Sequence, residues 1–136
     1  MKAAVLTQIP GELEIEEVGV DAPAANERLD DVAARLAAGR QRAIGGAGLA
    51  VQVPRVGPLV GIFFTDRPVR DFDDARVAAE NGSYPTFFHA MLRQGVALAP
   101  GAYEAIFPSL AHSEEDLERT FEAAATAAAE VAAGQS

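Results

Sequence analysis

The stretch SEEDLERTFEAAATAAAEVAAG, residues 113–134, carries the clearest structural pattern of the sequence. Ser113 begins a Ser-x-x-Asp capping box, and the two glutamates inside it stand where a helix dipole favours negative charge. After the box, apolar residues recur at helical spacing. They are Leu117, Phe121, Ala124, Ala125, Ala128 and Val131. The pattern predicts a C-terminal helix that ends at Gly134 and packs one apolar face on the rest of the chain.

The segment LVGIFFT, residues 59–65, is nearly all apolar. Such a run is typical of a strand that is covered on both faces or lies in the middle of a sheet. Residues 49–53 form a second β-rich run, and Pro54 and the Gly57-Pro58 pair lie between the two. Because Pro and Gly favour turns, we expect two adjacent strands joined by a turn.

Toward the N-terminus the pattern predicts a helix preceded by a hairpin. Residues 27–44 place apolar side chains at helical spacing, with Asn26 as a candidate N-cap and Gly45-Gly46 at the end. Residues 2–20 alternate loosely between apolar and acidic positions around Pro10-Gly11, which is typical of a β-hairpin.

The remaining segments complete a mixed architecture. Residues 66–81 are charged and irregular and indicate a loop, whereas 83–94 are expected to form a helix capped by Ser83. Residues 96–98 and 105–110 are predicted to be short strands. The order is hairpin, helix, two strands, helix, two strands, helix. We therefore expect an α/β (α+β) two-layer sandwich, with helices covering one face of a small, largely antiparallel sheet.

Composition restricts the classes of function. The chain has 136 residues, a formal net charge of −9 at pH 7 and no cysteine. One compact domain is expected at this length. Nucleic-acid binding depends on clustered Lys and Arg, and residues 1–18 hold no long apolar run of a signal peptide or membrane span. We expect a soluble, cytoplasmic protein without disulfides and without a nucleic-acid or membrane partner.

Four stretches share the order and spacing of motifs of one enzyme family. They are GIFFTD at 61–66, FFHAML at 87–92, GVALAPGAYEA at 95–105 and FPSLAHSEED at 107–116. In these motifs the chain resembles the C-terminal domain of glutamate-1-semialdehyde 2,1-aminomutase, a relative of the class III aminotransferases. The helix ERLDDVAARLAAG is also similar to the long helix that enters this domain, so the resemblance covers roughly residues 25–133.

The resemblance implies a dimeric pyridoxal-phosphate enzyme of fold type I that converts glutamate 1-semialdehyde to 5-aminolevulinate for tetrapyrrole synthesis. This chain would be its smaller, C-terminal lobe. Glu104 occupies the position of the family glutamate that faces the cofactor and substrate. Gly101 stands where the family often has Ser, and Ile106 where it often has Gly. The alternative interpretation of Glu104 is a loop carboxylate that hydrogen-bonds nearby backbone.

The groups that carry pyridoxal chemistry are not apparent in this sequence. The cofactor requires a lysine amine that bonds its aldehyde, a carboxylate for its pyridinium nitrogen and a phosphate cradle. The one lysine, Lys2, lies outside the matched region. The resemblance implies that a large domain preceding residue 25 supplies these groups. We therefore expect no cofactor and no aminomutase activity in this chain alone, and as partner either a PLP-binding large domain or a second copy.

Residues 1–23 are interpreted as a hairpin segment and linker ahead of the aminomutase-like domain, residues 24–136. They resemble the opening strands of zinc-type medium-chain alcohol dehydrogenases. Those enzymes also need a Cys zinc ligand and a Gly-rich turn after a strand. Gly45–Gly48 instead follows a helix, as a C-cap does. A fused, truncated or rearranged reading frame would explain why residues 1–23 and residues 24–136 resemble different families.

Other residues of chemical interest have simpler structural explanations. His89 and His112 are far apart in sequence with no third ligand in view, so a metal site is not expected. Ser109 beside His112 lacks the G-x-S-x-G elbow of a hydrolase. Arg67 and Arg70 are flanked by aspartates, which favours a solvated loop over a carboxylate site. Three functions stay open: an aminomutase lobe, a non-catalytic interaction or oligomerisation module, and an alcohol dehydrogenase relative.

Overall fold

The computed structural model describes residues 2–6, 13–17 and 24–135, with side chains from residue 28 onward. The elements are β1 (Lys2–Leu6), β2 (Leu13–Glu17), α1 (Ala24–Gly45), β3 (Arg55–Val56), β4 (Leu59–Val60), α2 (Phe72–Ala79), α3 (Ser83–Arg93) and α4 (Glu114–Gly134). Helices dominate, and the strands pair only in antiparallel fashion. The predicted α+β class is confirmed.

The N-terminal hairpin is present as predicted. β1 and β2 pair antiparallel, with a register that runs from Lys2 opposite Glu17 to Leu6 opposite Leu13. The proposed turn at Pro10-Gly11 lies outside the described residues. This pair forms a two-stranded sheet separate from that of β3 and β4.

The second hairpin places β4 in the middle of three chain segments. β3 and β4 pair across a turn in which Gly57 adopts a φ of 54°, a value that favours glycine. On the other edge of β4, the N–H groups of Val60 and Ile106 donate to each other's carbonyls at 3.1 and 2.8 Å. β4 therefore lies between two other chain segments. The predicted strands at 49–53 and 59–65 are wrong in extent, because Gln52 and Phe63 form only an isolated bridge and the regular strand of the second run is Leu59–Val60.

Three further segments differ from the sequence-based expectation. The predicted loop 66–81 contains α2, which begins where the Asp71 side chain accepts a hydrogen bond from the backbone N–H of Asp74 at 2.9 Å. The predicted strand at 96–98 is wrong, because the Val96 N–H donates to the end of α3 at the carbonyl of Met91. The predicted strand at 105–110 is also wrong beyond the isolated bridge at Ile106.

Two predicted helix caps are wrong, and one is confirmed. Asn26 lies inside α1, which already begins at Ala24. Gly82 is the N-cap of α3, whereas Ser83 is a buried helical residue whose hydroxyl accepts a hydrogen bond from Gln135 at 2.9 Å. At α4 the capping box of Ser113 is complete, with both reciprocal bonds formed.

The core lies where α4 packs against α1 and α3. The predicted apolar stripe of α4 is buried at Leu117, Ala124, Ala128 and Val131, whereas Ala125 is exposed. Small residues allow close approach: a Cβ on Gly39 of α1 would lie 2.2 Å from Cε1 of Phe121. Ion pairs of Arg35 with Glu114 and of Arg93 with Glu130 add contacts to both neighbouring helices. No helix among residues 24–135 has the length and apolarity needed to cross a bilayer.

Candidate functional site

Glu104 lies in the long connection between α3 and α4, and four hydrogen bonds hold this connection. The Tyr84 hydroxyl donates to the carbonyl of Ala99 at 2.7 Å. The backbone N–H of Glu104 donates to the carbonyl of Gly101 at 3.1 Å, which closes a turn, and Ile106 is bridged to β4. The backbone on both sides of Glu104 is therefore tied to the body of the domain.

The Glu104 side chain is exposed and folds back over Gly101. Its carboxylate accepts no hydrogen bond from the part of the chain that the structure describes. A Cβ on residue 101 would lie 3.1 Å from Glu104 Oε1, so a serine there requires the carboxylate to shift. Ile106 is partly buried and packs against buried apolar side chains of the core. The two departures from the family pattern thus have different consequences. Gly101 leaves room for the Glu104 carboxylate, and Ile106 fixes the connection between α3 and α4 to the core.

Apolar side chains surround Glu104 on the protein surface. A groove of about 200 Å³ beside it is lined by residues of the β3–β4 hairpin and by Tyr103. Phe72 of α2 stacks on Tyr103 with ring centroids 5.6 Å apart. We call Val56, Leu59, Phe72, Tyr103 and Glu104 the Glu104 face. Val56 is 75% exposed and Phe72 68%, and large apolar side chains exposed together indicate an interaction surface.

Two buried residues with polar side chains, Arg40 and Tyr84, interact electrostatically. Arg40 is only 3% exposed, and its Nε and Nη1 atoms have no hydrogen-bond partner. Burial lowers the pKa of the Arg40 guanidinium to about 10. Burial also raises the pKa of Tyr84; the charge of Arg40 opposes that shift, and the charge of Glu104 adds to it.

Sequence reasoning did not identify Arg40, although a signal exists. Arg40 falls four residues after Leu36 and four before Ile44, both of which are buried on the inner face of α1. A charged residue at the period of an apolar stripe indicates a buried charge, and buried charges need partners.

Comparison with known proteins identifies relatives over most of the chain. No protein-family model matches the sequence. Glutamate-1-semialdehyde 2,1-aminomutase of Anaeromyxobacter dehalogenans (strain 2CP-1) is 46% identical over 109 residues, which are 80% of this chain and 25% of the relative. This chain is homologous to part of glutamate-1-semialdehyde 2,1-aminomutase. Two further aminomutases match in the same way. That of Thermomicrobium roseum is 43% identical over 112 residues, which are 82% of this chain and 26% of the relative. That of Desulfosudis oleivorans is 42% identical over 102 residues, which are 75% of this chain and 24% of the relative.

These matches confirm the aminomutase resemblance predicted from the motifs. The chain spans about a quarter of the length of the curated aminomutases it matches. The resemblance of residues 1–23 to alcohol dehydrogenases is not tested by these relatives and stays a prediction. The roles of Glu104 and of a partner domain likewise stay open to experiment.

The described residues of this aminomutase homologue do not by themselves fit pyridoxal phosphate. Residues 24–135 contain no lysine, so no amine there can bond the cofactor's aldehyde. The groove beside Glu104 is lined by apolar side chains and one carboxylate, with no cation to balance a phosphate. If the family cofactor is used, its covalent and phosphate contacts come from residues other than these.

The remaining candidate residues lie apart from Glu104. His89 is exposed on α3 next to the Phe88 ring, and the Nδ1 of His112 accepts a hydrogen bond from the Ser109 N–H at 3.0 Å. Within the described ranges, no group of His, Asp and Glu side chains is arranged to hold a metal ion. Arg67 and Arg70 are exposed, consistent with the predicted solvated segment.

Proposed function

We propose that this chain acts in the cytoplasm as the C-terminal lobe of an aminomutase-type enzyme that converts glutamate 1-semialdehyde to 5-aminolevulinate. A large domain, outside the described residues, would bind pyridoxal phosphate and supply the reactive lysine. The carrying observation is the 42–46% identity to aminomutases over about four-fifths of the chain. The absence of cysteine is compatible with a reducing compartment.

The Glu104 face is proposed to dock on that large domain. Tyr103, Phe72 and Val56 would lose their exposure to water on docking, and burial of apolar area favours association. Glu104 would then lie in a dehydrated groove, where a carboxylate acts strongly on nearby charge. There it could hold a substrate ammonium group or accept a proton from it. Pyridoxal phosphate, when bound, would supply the electron sink for moving the amino group.

Complementation tests this function directly. The chain is mixed with pyridoxal phosphate and the large domain of the Anaeromyxobacter relative, and 5-aminolevulinate is measured. We expect product only when both polypeptides are present, and a loss of at least about tenfold with Glu104→Gln, as for a removed acid–base group. Glu122→Gln, at an exposed position of α4, is the matched control and should retain activity. Failure of the two polypeptides to form a complex would contradict the proposal.

The exposed Glu104 face also supports a second candidate, a non-catalytic module that self-associates. A C2 dimer could cover this apolar surface with the same surface of another copy. Sedimentation of the purified chain distinguishes the two candidates. A concentration-dependent dimer that Val56→Asp dissociates, together with no binding to the large domain, would favour the module. A strictly monomeric chain would exclude it.

A further inference from the structure

The ring of Phe72 connects α2 to the loop that carries Glu104. Phe72 is the first residue of α2, and its ring stacks on that of Tyr103 with centroids 5.6 Å apart and planes inclined by 29°. Stacked pairs at such distances attract each other. Phe72 is 68% exposed and Tyr103 51%, so the pair buries little apolar area. The stack is therefore better suited to fixing the direction of a side chain than to stabilising the core.

The start of α2 holds Phe72 in place. The Asp71 side chain accepts a hydrogen bond from the backbone N–H of Asp74 at 2.9 Å. The Asp74 side chain in turn accepts one from the N–H of the residue before Asp71, at 3.0 Å. Such reciprocal bonds fix the first turn of a helix. Within that turn, Ala75 is buried against the domain. The backbone that presents the Phe72 ring is therefore held by its cap and by packing.

Tyr103 lies in the turn that ends at Glu104. The backbone N–H of Glu104 donates to the carbonyl of Gly101 at 3.1 Å, which places Ala102 and Tyr103 at the two central positions. Ala102 packs against the core, whereas the Tyr103 ring lies on the surface against Phe72. Tyr103 and Glu104 also line the same groove. Since one turn sets the directions of both side chains, displacement of the Tyr103 ring is expected to displace the Glu104 carboxylate as well.

We propose that Phe72 is a positioning residue for Glu104: its stack on Tyr103 holds the turn in which the Glu104 carboxylate folds over Gly101. The inference rests on the proposed function for its consequence, because the direction of the carboxylate matters to the reaction only if Glu104 meets the substrate. Misplacement of a reacting group by about 1 Å can cost about 100-fold in rate. Phe72 acts through Tyr103 rather than by touching the substrate.

Spectra of the full chain alone test whether the stack positions the carboxylate. Phe72→Leu keeps an apolar side chain but removes the ring, and Phe72→Tyr keeps the ring. We expect the Tyr103 ring resonances and the Glu104 side-chain carboxyl resonance to shift in Phe72→Leu and to return close to their wild-type values in Phe72→Tyr. Val77→Ala shortens another exposed apolar side chain of α2 and is the matched control, which should shift neither.

Three outcomes of these measurements would overturn the proposal. The first is a Glu104 resonance that is unchanged in Phe72→Leu, and the second is one that shifts equally in Val77→Ala. The third is a thermal unfolding midpoint that falls by more than about 6 °C in Phe72→Leu, since a loss beyond that of one exposed aromatic pair would mean that the ring holds the fold itself.

The two-polypeptide enzyme adds a kinetic readout. With the large domain of the Anaeromyxobacter relative at saturating concentration, Phe72→Leu should lower kcat about three- to tenfold and change KM less than about twofold, and Phe72→Tyr should restore kcat. A raised KM with unchanged kcat would mean that Phe72 serves binding alone and would contradict the proposal. Unchanged spectra would refute the role of Phe72 and leave complementation untouched, whereas failed complementation would refute the proposed function and leave the spectra unaffected.

Discussion

The α4 side of the molecule and the Glu104 face differ in how far their apolar side chains are buried. On α4 the inner alanines, Ala124 and Ala128, are fully buried against α1 and α3. On the Glu104 face, much larger side chains such as Val56 and Phe72 remain mostly exposed. Burying the larger groups would release more free energy, about 25 cal/mol per Å² of apolar surface. The difference shows that α4 finds its packing partners within the chain, whereas the Glu104 face leaves its apolar side chains exposed, as the proposed docking requires.

Charged groups show the same contrast. The helix side pairs its charges at the surface, as in Arg35 with Glu114, where Arg35 lowers the pKa of the Glu114 carboxyl by hydrogen bonding. Elsewhere in the described residues, Arg40 is buried with Nε and Nη1 unpaired, and the Glu104 side chain is exposed. The first arrangement pairs its charges within the chain, whereas the second leaves them unpaired among the described residues.

The largest expected effect comes from breaking the internal core. Phe87 is fully buried and meets the Phe64 ring edge-on at 5.3 Å between centroids. Phe87→Ala should lower the free energy of unfolding by about 3–5 kcal/mol, because it removes apolar contacts and leaves a cavity. Phe107→Ala, at a side chain that is 68% exposed, should change it by less than about 1 kcal/mol. Urea unfolding measures both free energies; similar losses would contradict the difference between the buried core and the exposed apolar side chains.

A smaller effect is expected from the contact between α1 and α4. Gly39→Ala would place a Cβ 2.2 Å from the Phe121 ring, so the ring or the helix must move. Overpacking of this kind should lower the free energy of unfolding by about 1–3 kcal/mol. Gly45→Ala, on the same helix but with no atom within 4 Å of the added Cβ, is the control and should be neutral or slightly stabilising. Equal tolerance of both alanines in urea unfolding would show that the helices are less closely packed than described.

A smaller effect again is expected at the start of α4. Ser113→Ala should lower the free energy of unfolding by about 1 kcal/mol at pH 7, because it removes the side chain that caps the helix. The hydrogen bonds from Ser113 lower the pKa of Asp116. A carboxyl whose pKa is lowered on folding stabilises the protein above its unfolded pKa, and this stabilisation disappears as the pH falls through the folded value. The difference between wild type and Ser113→Ala should therefore shrink below about pH 3.8, measured as thermal midpoints across an acid series. A constant difference would contradict this linkage.

Sequence patterns predicted α4 and the core better than the segments around the Glu104 face. The capping box and the apolar period of α4 are local signals, and both are present in the structure. The central β4 was predicted because an apolar run needs cover on both faces. By contrast, α2 was missed, because its Asp71 cap and the charged residues around it were interpreted as part of a loop.

The site itself was predictable only in part. Glu104 was identified by motif resemblance, but the fold of its side chain over Gly101 depends on a turn that no local pattern specifies. Arg40 was missed because the sequence does not show what an inward-facing arginine meets. The burial of Arg40 arises from packing of α1 against elements distant in sequence, as does its proximity to Tyr84 on α3.

The smallest effect on stability is expected at Gly101, and it sharpens the distinction between the two sides. Gly101→Ser restores the residue that the aminomutase resemblance favours, and the backbone there needs no positive φ. The free energy of unfolding should change by less than about 0.5 kcal/mol, as for most surface substitutions. The new Cβ would nevertheless displace the Glu104 carboxylate, which lies 3.1 Å from that position. The Glu104 side-chain carboxyl resonance should therefore shift in Gly101→Ser and not in Gly134→Ser, where a Cβ meets nothing within 4 Å; a resonance unmoved in both would place the carboxylate elsewhere.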